Sequence, residues 1–182
     1  AGSLHVRGDF VFSSHVLVLG DLRVDGVVIG EPEHAILIVL GNLSARAIAL
    51  LRSYLCITGS VVCREFLLGT CDGFAKVGSD VTAPLLLQEH FELMSLDNDD
   101  EPRVQARYWC DIRSEGYRTA YPRPRCTSEP VAALAVDVYS MCSVDDDGNP
   151  GEFDKWKLLA LVQAGTSLGL NEPPTAISPS ID

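Results

Sequence analysis

The chain has 182 residues, enough for one domain with a small appendage, and 47% of them are apolar, enough to bury a core. It carries 14 Lys and Arg against 25 Asp and Glu, a net charge of −11, which argues against DNA or RNA as a direct ligand because phosphate contacts need basic side chains. No apolar run approaches the ~18 residues that a membrane span needs.

A short pattern recurs five times in the first half of the chain. The pattern is an apolar residue, a glycine, a small polar residue and then an alternating apolar pair. The glycines of the five copies are Gly8, Gly20, Gly41, Gly59 and Gly78. After the first step they are spaced by 21, 18 and 19 residues. A period of this length is typical of a solenoid, in which each repeat forms one coil.

The alternating pairs, such as Leu22/Val24, Leu43/Ala45 and Val61/Cys63, predict strands with one face turned inward. A second apolar stretch follows each pair, and a variable loop then leads to the next coil. The second stretches are Val27–Ile29, Ile48–Leu51, Phe66–Leu68 and Leu85–Leu87. The longest apolar run, Ala35–Leu40, has a length that suits a buried strand. A leucine-rich repeat would need a recurring Asn, and Asn42 is the only one in these repeats.

We therefore predict an all-β fold, a β-solenoid (β-helix) of short coils over residues 4–93, with a small C-terminal α-helical appendage. Residues 94–170 form a predicted extension of wrapping loops and one helix, and residues 171–182, with three prolines, a loose tail. Asp154 is a predicted N-cap, and Gly165 is predicted to end the helix after Ala164. We expect its apolar side chains to dock on the solenoid. They are Phe153, Trp156, Leu159, Ala160 and Val162.

The cysteines predict neither a metal site nor a disulfide framework. None of the six cysteines has CxxC spacing, and no Cys or His cluster has the spacing of zinc ligands. Cys56 and Cys63 occupy positions where the repeat favours small apolar residues, so we expect buried, reduced thiols in a cytoplasmic protein. Asp145, Asp147 and Asn149 have the spacing that begins a calcium-binding loop, but the twelfth position is not Glu, which favours an ordinary turn.

No catalytic motif is present in the sequence. It has no Gly-x-Ser-x-Gly element, no Walker phosphate loop and no Gly-rich dinucleotide motif. Histidines on separate coils could line up, as in acyltransferases built on a left-handed β-helix, but the repeat does not keep the six-residue step of those enzymes. We read them as solvated corner residues and predict no enzyme, no cofactor and no metal. The histidines are His5, His15, His34 and His90.

Two acidic clusters are the remaining feature. They are either two solvated loops or one negative patch that meets an Arg- and Lys-rich groove in another protein. We predict them as the partner-binding residues. The first cluster contains Asp97, Asp99, Asp100 and Glu101, and the second contains Asp145, Asp146 and Asp147.

The Gly-Asp-Leu repeats, the acidic turn and the helical segment from Asp154 to Gly165 resemble a bacterial group of small β-solenoid proteins often labelled polymer-forming cytoskeletal, some of which are encoded beside toxins. The resemblance covers most of residues 4–93 and 143–168. Within this group the chain looks most like immunity proteins of type VI secretion DNase effectors of the Gly-His-His kind. Filament-forming bactofilins have a more regular solenoid and lack such a C-terminal region.

This resemblance implies an immunity protein, or antitoxin, that neutralises a nuclease toxin by binding it in the cytoplasm, without contacting nucleic acid or a membrane. A DNase carries positive charge to hold DNA, so an acidic inhibitor would complement it. The second hypothesis is a bactofilin-like scaffold that self-assembles end to end. A β-helix enzyme of the acyltransferase type is the third.

Overall fold

The computed structural model describes residues 2–31, 34–70, 72–97, 102–106, 108–112, 142–144, 150–153, 155–166 and 168. Within these residues the chain forms strands and one α-helix, α1 (Lys155–Gln163). The strands are β1 (Leu4–Val6), β2 (Phe10–Phe12), β3 (Val16–Val18), β4 (Leu22–Gly30), β5 (Ile36–Val39), β6 (Leu43–Leu51), β7 (Tyr54–Ile57), β8 (Val61–Cys63), β9 (Phe66–Thr70), β10 (Phe74–Val77), β11 (Val81–Thr82), β12 (Leu85–Glu89), β13 (Glu92–Ser95), β14 (Val104–Gln105), β15 (Tyr108–Ile112), β16 (Cys142–Val144) and β17 (Pro150–Phe153).

The strands form a β-solenoid with three strand segments in each coil, which confirms the predicted fold class. In the third coil the chain runs along β7, turns into β8, bends again and continues along β9. In the first half of the solenoid the last two segments join into one bent strand, as in β4 and β6. Corresponding strands of successive coils pair in parallel, and one sheet stacks five of them in the order β13-β10-β7-β5-β3.

The interior consists of side chains that stack in columns along the solenoid. Leu22, Leu43, Val61 and Val81 are register partners in successive coils, and each is at most 1% exposed. Val24, Ala45 and Cys63 form the next inward column and are also buried, so the predicted inward pairs are confirmed. Burial of each large apolar side chain contributes roughly 1.5–3 kcal/mol.

The stacking continues beyond residue 93. β14 pairs in parallel with β11, and β15 pairs in parallel with β12. The separate strands β16 and β17 form an antiparallel pair. The domain boundaries proposed from the sequence remain a prediction.

Four of the five repeated glycines, all except Gly8, lie at corners where neighbouring coils approach closely. A Cβ atom on Gly41 would lie 2.6 Å from Asp21 Oδ1 and 2.8 Å from the backbone carbon of Gly20 in the coil before it. Gly165 is the only glycine with positive φ among the described residues, so the corner glycines are required by close packing and not by a left-handed backbone. The polar residue after three of the five repeated glycines links the coils, because Asp9, Asp21 and Asn42 each accept a hydrogen bond at Oδ1 from a backbone N–H of the next coil, at 2.8, 2.8 and 3.0 Å.

The helix ends where the sequence predicts. Gly165 has φ 84° and donates its N–H to the Val162 carbonyl, while Thr166 donates to the Leu161 carbonyl. This is the Schellman arrangement that a glycine after the last turn provides.

The predicted apolar face of the helix is wrong in part. Leu159 and Val162 are buried against the solenoid, but Trp156 is 57% exposed and Ala160 is exposed. Leu158, which the prediction left out, is fully buried. The helix is rotated relative to the expected face, because the two consecutive leucines pack on the sheet together. The side chains of residues 153 and 154 are outside the described part of the chain.

The run Ala35–Leu40 forms a strand, as predicted, but it is buried on one face only. Leu37 and Val39 are fully buried, whereas Ile36 and Ile38 point outward and Leu40 is 46% exposed. Cys56 follows the same pattern, because it is the outward register partner of Ile38 and is half-buried. The expectation that both Cys56 and Cys63 are buried is therefore wrong for Cys56. Both thiols are free, as expected, and burial raises the pKa of Cys63 far above its ordinary value.

Candidate partner-binding surface

The coil has three outer faces, and they differ in what covers them. The helix-covered face is the outer side of β9, β12 and the second halves of β4 and β6. The polar face is the outer side of β8, β11 and the first halves of β4 and β6. The open face is the outer side of the five-stranded sheet β3, β5, β7, β10 and β13.

The helix-covered face is apolar and buried by α1. Phe66 and Leu85 point outward there, yet neither is exposed, and they form one core cluster with Leu158 and Val162 of the helix. The helix is also fixed by charge. Lys155 Nζ lies 2.9 Å from Glu89 Oε2 at its first turn.

At the other end of the helix, one arginine joins the solenoid to the last turn. Arg46 donates from Nε to Glu65 Oε1 at 2.8 Å, and its two terminal nitrogens donate to the carbonyls of Val162 and Thr166 at 3.0 and 2.9 Å. A cation at these carbonyls is favourable because they carry the negative end of the helix dipole. The helix is therefore fixed to the solenoid by polar contacts at both of its ends.

A groove of about 310 Å³ lies where the helix meets the first coils. Val11, Ile29 and Leu51 line it from the solenoid, and Trp156 and Leu159 line it from the helix. Trp156 and Val11 are both more than half exposed. At this groove, the apolar side chains at the edge of the helix-covered face thus reach the surface.

The polar face has the outward residues of an ordinary solvated sheet, with one exception. Its outward positions carry Arg23, Ser44 and Thr82, while Val62 is 42% exposed. Antiparallel and solvated sheets commonly alternate apolar and polar side chains in this way.

The open face differs because its outward positions are largely apolar. Leu17, Leu19 and Leu40 are 57%, 54% and 46% exposed. Ile38 and Cys56 continue the column of Leu17 along the sheet and are half-buried. Seven large apolar residues are exposed in the described chain, and three of them, these leucines, lie on the open face.

One edge of the open face carries a stack of rings. His34 Nδ1 lies 2.6 Å from the Tyr54 hydroxyl oxygen, and their ring centroids are 5.6 Å apart. The Tyr54 and Phe74 centroids are 4.6 Å apart. Tyr54 and Phe74 are register partners on adjacent strands, so the stack follows the solenoid axis.

The same edge has a repeated left-handed corner. Four equivalent residues in successive coils, none of them glycine, have φ between 51° and 61°. They are His34, Arg52, Asp72 and His90. Such a conformation is uncommon for a residue other than glycine, but its repetition in four successive coils makes it a feature of the corner and not one strained site. His34 and His90 are three coils apart, about 14 Å at the spacing of paired strands, so they cannot act on one atom.

The predicted acidic site is only partly within the described chain. Asp97 follows β13 at the end of the open face and is exposed. The other predicted residues lie outside the described residues, so their place in a site stays a prediction. They are Asp99, Asp100, Glu101, Asp145, Asp146 and Asp147.

Acidic charge increases along the chain through the solenoid. Residues 1–60 contain four Lys or Arg and five Asp or Glu, whereas residues 61–101 contain two and nine. Part of this charge is paired. Arg103 donates two hydrogen bonds of 2.8 Å to the Asp80 carboxylate, which lowers the pKa of Asp80. In the first coils His5 Nε2 lies 3.0 Å from Asp25 Oδ2, and this contact lowers the pKa of Asp25.

The exposed leucines of the open face were missed in the sequence analysis. The signal was present, because Leu17 and Leu19 flank the inward Val18, and Ala35–Leu40 has apolar residues at both sets of alternate positions. An apolar run of that kind is typical of a strand buried on both faces, and here the second face has no cover among the described residues.

Comparison with known proteins gives no relative: no protein-family model, no curated protein and no solved structure matches the chain. Within the described chain no group of three His, Cys, Asp or Glu residues is placed to hold a metal ion. No helix in that part is long and apolar enough to cross a membrane.

Proposed function

We propose that this chain is an immunity protein: it binds a cognate nuclease toxin of a type VI secretion effector in the cytoplasm and covers the toxin's DNA-binding groove. Inhibition would be by contact alone, without chemistry on either partner. A DNase must present Lys and Arg to hold DNA, so the natural inhibitor of such a groove is acidic.

The observation that supports this function best is the uneven charge of a rigid scaffold. Seven of the eleven net negative charges lie in residues 61–101, and the described part of this range forms the later coils. A stacked solenoid holds its corners in fixed positions, so its surface charges meet a partner without an ordering cost. Concentrated negative charge of this kind raises the rate of association with a basic protein.

The test first searches the genes that flank this chain's gene for a nuclease domain. It then measures association with that domain, inactivated by replacing a catalytic histidine. The wild-type chain should bind it and abolish DNA cleavage by the active form. Replacing Asp97, Asp99 and Asp100 with Asn should slow association and flatten its dependence on salt, because steering by exposed charge is screened within ~8–10 Å at physiological salt.

A matched control makes the substitutions Asp25→Asn and Glu31→Gln, which remove similar charge from the less acidic end. If the triple variant associates at the wild-type rate at low salt, these loops are outside the interface. If the wild-type chain neither binds nor inhibits any neighbouring nuclease, the immunity function is wrong.

A self-assembling scaffold is the second candidate, and one observation favours it. Among the described residues β1, β2 and β3 pair on one side only, with β4 or β5. Leu4 is 42% exposed although it belongs to the inward column of Leu22. Unpaired strand edges pair readily with other chains. Filaments of the pure protein in electron micrographs, without any toxin, would favour the scaffold over the immunity protein.

A further inference from the structure

The open face carries apolar side chains that an ordinary solvated sheet would not place outward. Leu17 lies in the middle of β3 and Leu40 directly follows β5, and both have about half of their surface in water. On the helix-covered face, by contrast, outward leucines such as Leu85 are buried by α1. Exposed apolar patches rimmed by polar residues commonly mark protein-binding sites.

The size of the open face limits what it can do alone. Five strands at the usual spacing are about 19 Å wide, and five residues of one strand are about 13 Å long, so the face covers about 250 Å². A stable interface buries about 800 Å² on each partner. A partner that docks here must therefore extend past the face onto the corners and strand ends around it.

Those surroundings contain acidic residues. Asp21, Asp72 and Asp97 are exposed around the face, and Glu92 is exposed on its last strand. They outnumber the two basic residues there, which are Arg52 at the same corner as Asp72 and Lys76 in the outward column of Cys56. A second copy of this chain would bring the same net negative charge against this rim, which is unfavourable at an interface. A partner with an apolar patch surrounded by Lys and Arg is complementary to both the leucines and their rim.

We propose that the open face is the docking surface for the basic nuclease domain, with Leu17, Leu19 and Leu40 as the apolar centre of the interface and Asp97 in its acidic rim. This inference rests on the proposed function and names the surface through which it acts. Tyr54 lies at one edge of the same face and has a residue type that often dominates binding energy in interfaces.

The experiment compares substitutions of outward apolar residues on two different faces of the solenoid. The double variant Leu17→Gln, Leu40→Gln changes the open face, and Val62→Gln changes an equally exposed residue of the polar face. Glutamine leaves the net charge unchanged, so association by charge steering is unaltered. The probe is the inactivated nuclease domain described above, and urea denaturation of each variant establishes that the fold is intact.

We expect the double variant to bind at least 10-fold more weakly, mainly through faster dissociation, because loss of interface contacts acts on the dissociation rate. Val62→Gln should bind as the wild-type chain does. If the wild-type chain binds the nuclease and the double variant binds equally well, the open face is not the docking surface, and the immunity function stands. If the wild-type chain does not bind, both the function and this surface are wrong. Dimers of the wild-type chain that the double variant loses, without nuclease present, would overturn the proposal in favour of a second copy.

Discussion

The helix-covered face and the open face are built alike and differ in their cover. Both have parallel strands in register with apolar side chains at outward positions. Phe66 on the first face is fully buried, whereas Leu17 on the second is 57% exposed. The difference comes from α1, which places Leu158 and Val162 on the first face.

The comparison shows how an outward apolar residue in a solenoid should be interpreted. The interior columns are filled by the coils themselves, so the outward leucines are not needed to fill the core. On one face they bind a helix of the same chain. This makes an intermolecular role the natural interpretation of the other face, and the following measurements can break or sharpen it.

The largest expected effect concerns a side chain that is enclosed by the coils alone. Leu43→Ala should lower the free energy of unfolding by about 2–5 kcal/mol, because it opens a cavity in an inward column. Urea denaturation measures the change. Ser44→Ala, at the next and outward position, should stay within about 0.5 kcal/mol. Equal midpoints for Leu43→Ala and the wild-type chain would mean that the strand register is wrong, since a one-residue slip reverses the faces.

The second prediction tests the two faces directly. Leu158→Ala should cost about 2–3 kcal/mol, toward the low end for a buried leucine, because the helix can shift to fill part of the space. Leu17→Ala should cost less than about 0.5 kcal/mol, as surface substitutions do. Thermal and urea denaturation give both values. If Leu17→Ala is as destabilising as Leu158→Ala, then the open face is covered within the chain and is not a free docking surface.

A smaller effect is expected at the corner beside the open face. The edge of the sheet is fixed there by close packing of the backbone and not by a helix that covers it. Gly41→Ala should cost about 1–2 kcal/mol, because the new methyl group would overlap Asp21 and the backbone of Gly20. Gly8→Ala is the matched control, since no atom lies within 4 Å of a Cβ at that corner. Equal stability of the two variants would show that the coils can separate at the corner without cost.

The sequence predicts the interior better than the surfaces for a physical reason. Inward positions follow a two-residue period that each strand displays by itself, so Leu22, Leu43 and Val61 could be placed correctly. The Schellman end of the helix at Gly165 is equally local. The period also shows that β5 is a strand, but it cannot show what lies against the outer side of that strand.

Outer surfaces depend on elements far away in the chain, and there the sequence predictions failed. Trp156 was expected to be buried and Leu158 was not assigned, because rotation of the helix is decided by which side chains fit the outward columns of the coils. The contact of Arg46 with the carbonyl of Val162 joins residues 116 positions apart. Only the three-dimensional arrangement brings together the leucines of β3 and β5 that form the candidate site.

The smallest predicted effect concerns the charged end of the corner ladder that borders the open face. Arg103 lowers the pKa of Asp80, so ionised Asp80 stabilises the folded chain above the carboxyl pKa of the unfolded chain, ~4. This contribution is lost as the pH falls through the lowered pKa of the folded state. Asp80→Asn should therefore have a slightly lower denaturation midpoint than the wild-type chain at neutral pH, and the difference should vanish in strong acid and shrink in high salt. Glu31→Gln, which removes an exposed carboxylate from the first coils, is the control for net charge. A difference that persists unchanged in strong acid would show that Asp80 stabilises the corner by packing and not by its charge. The ion pair with Arg103 would then not be what fixes this corner of the open face.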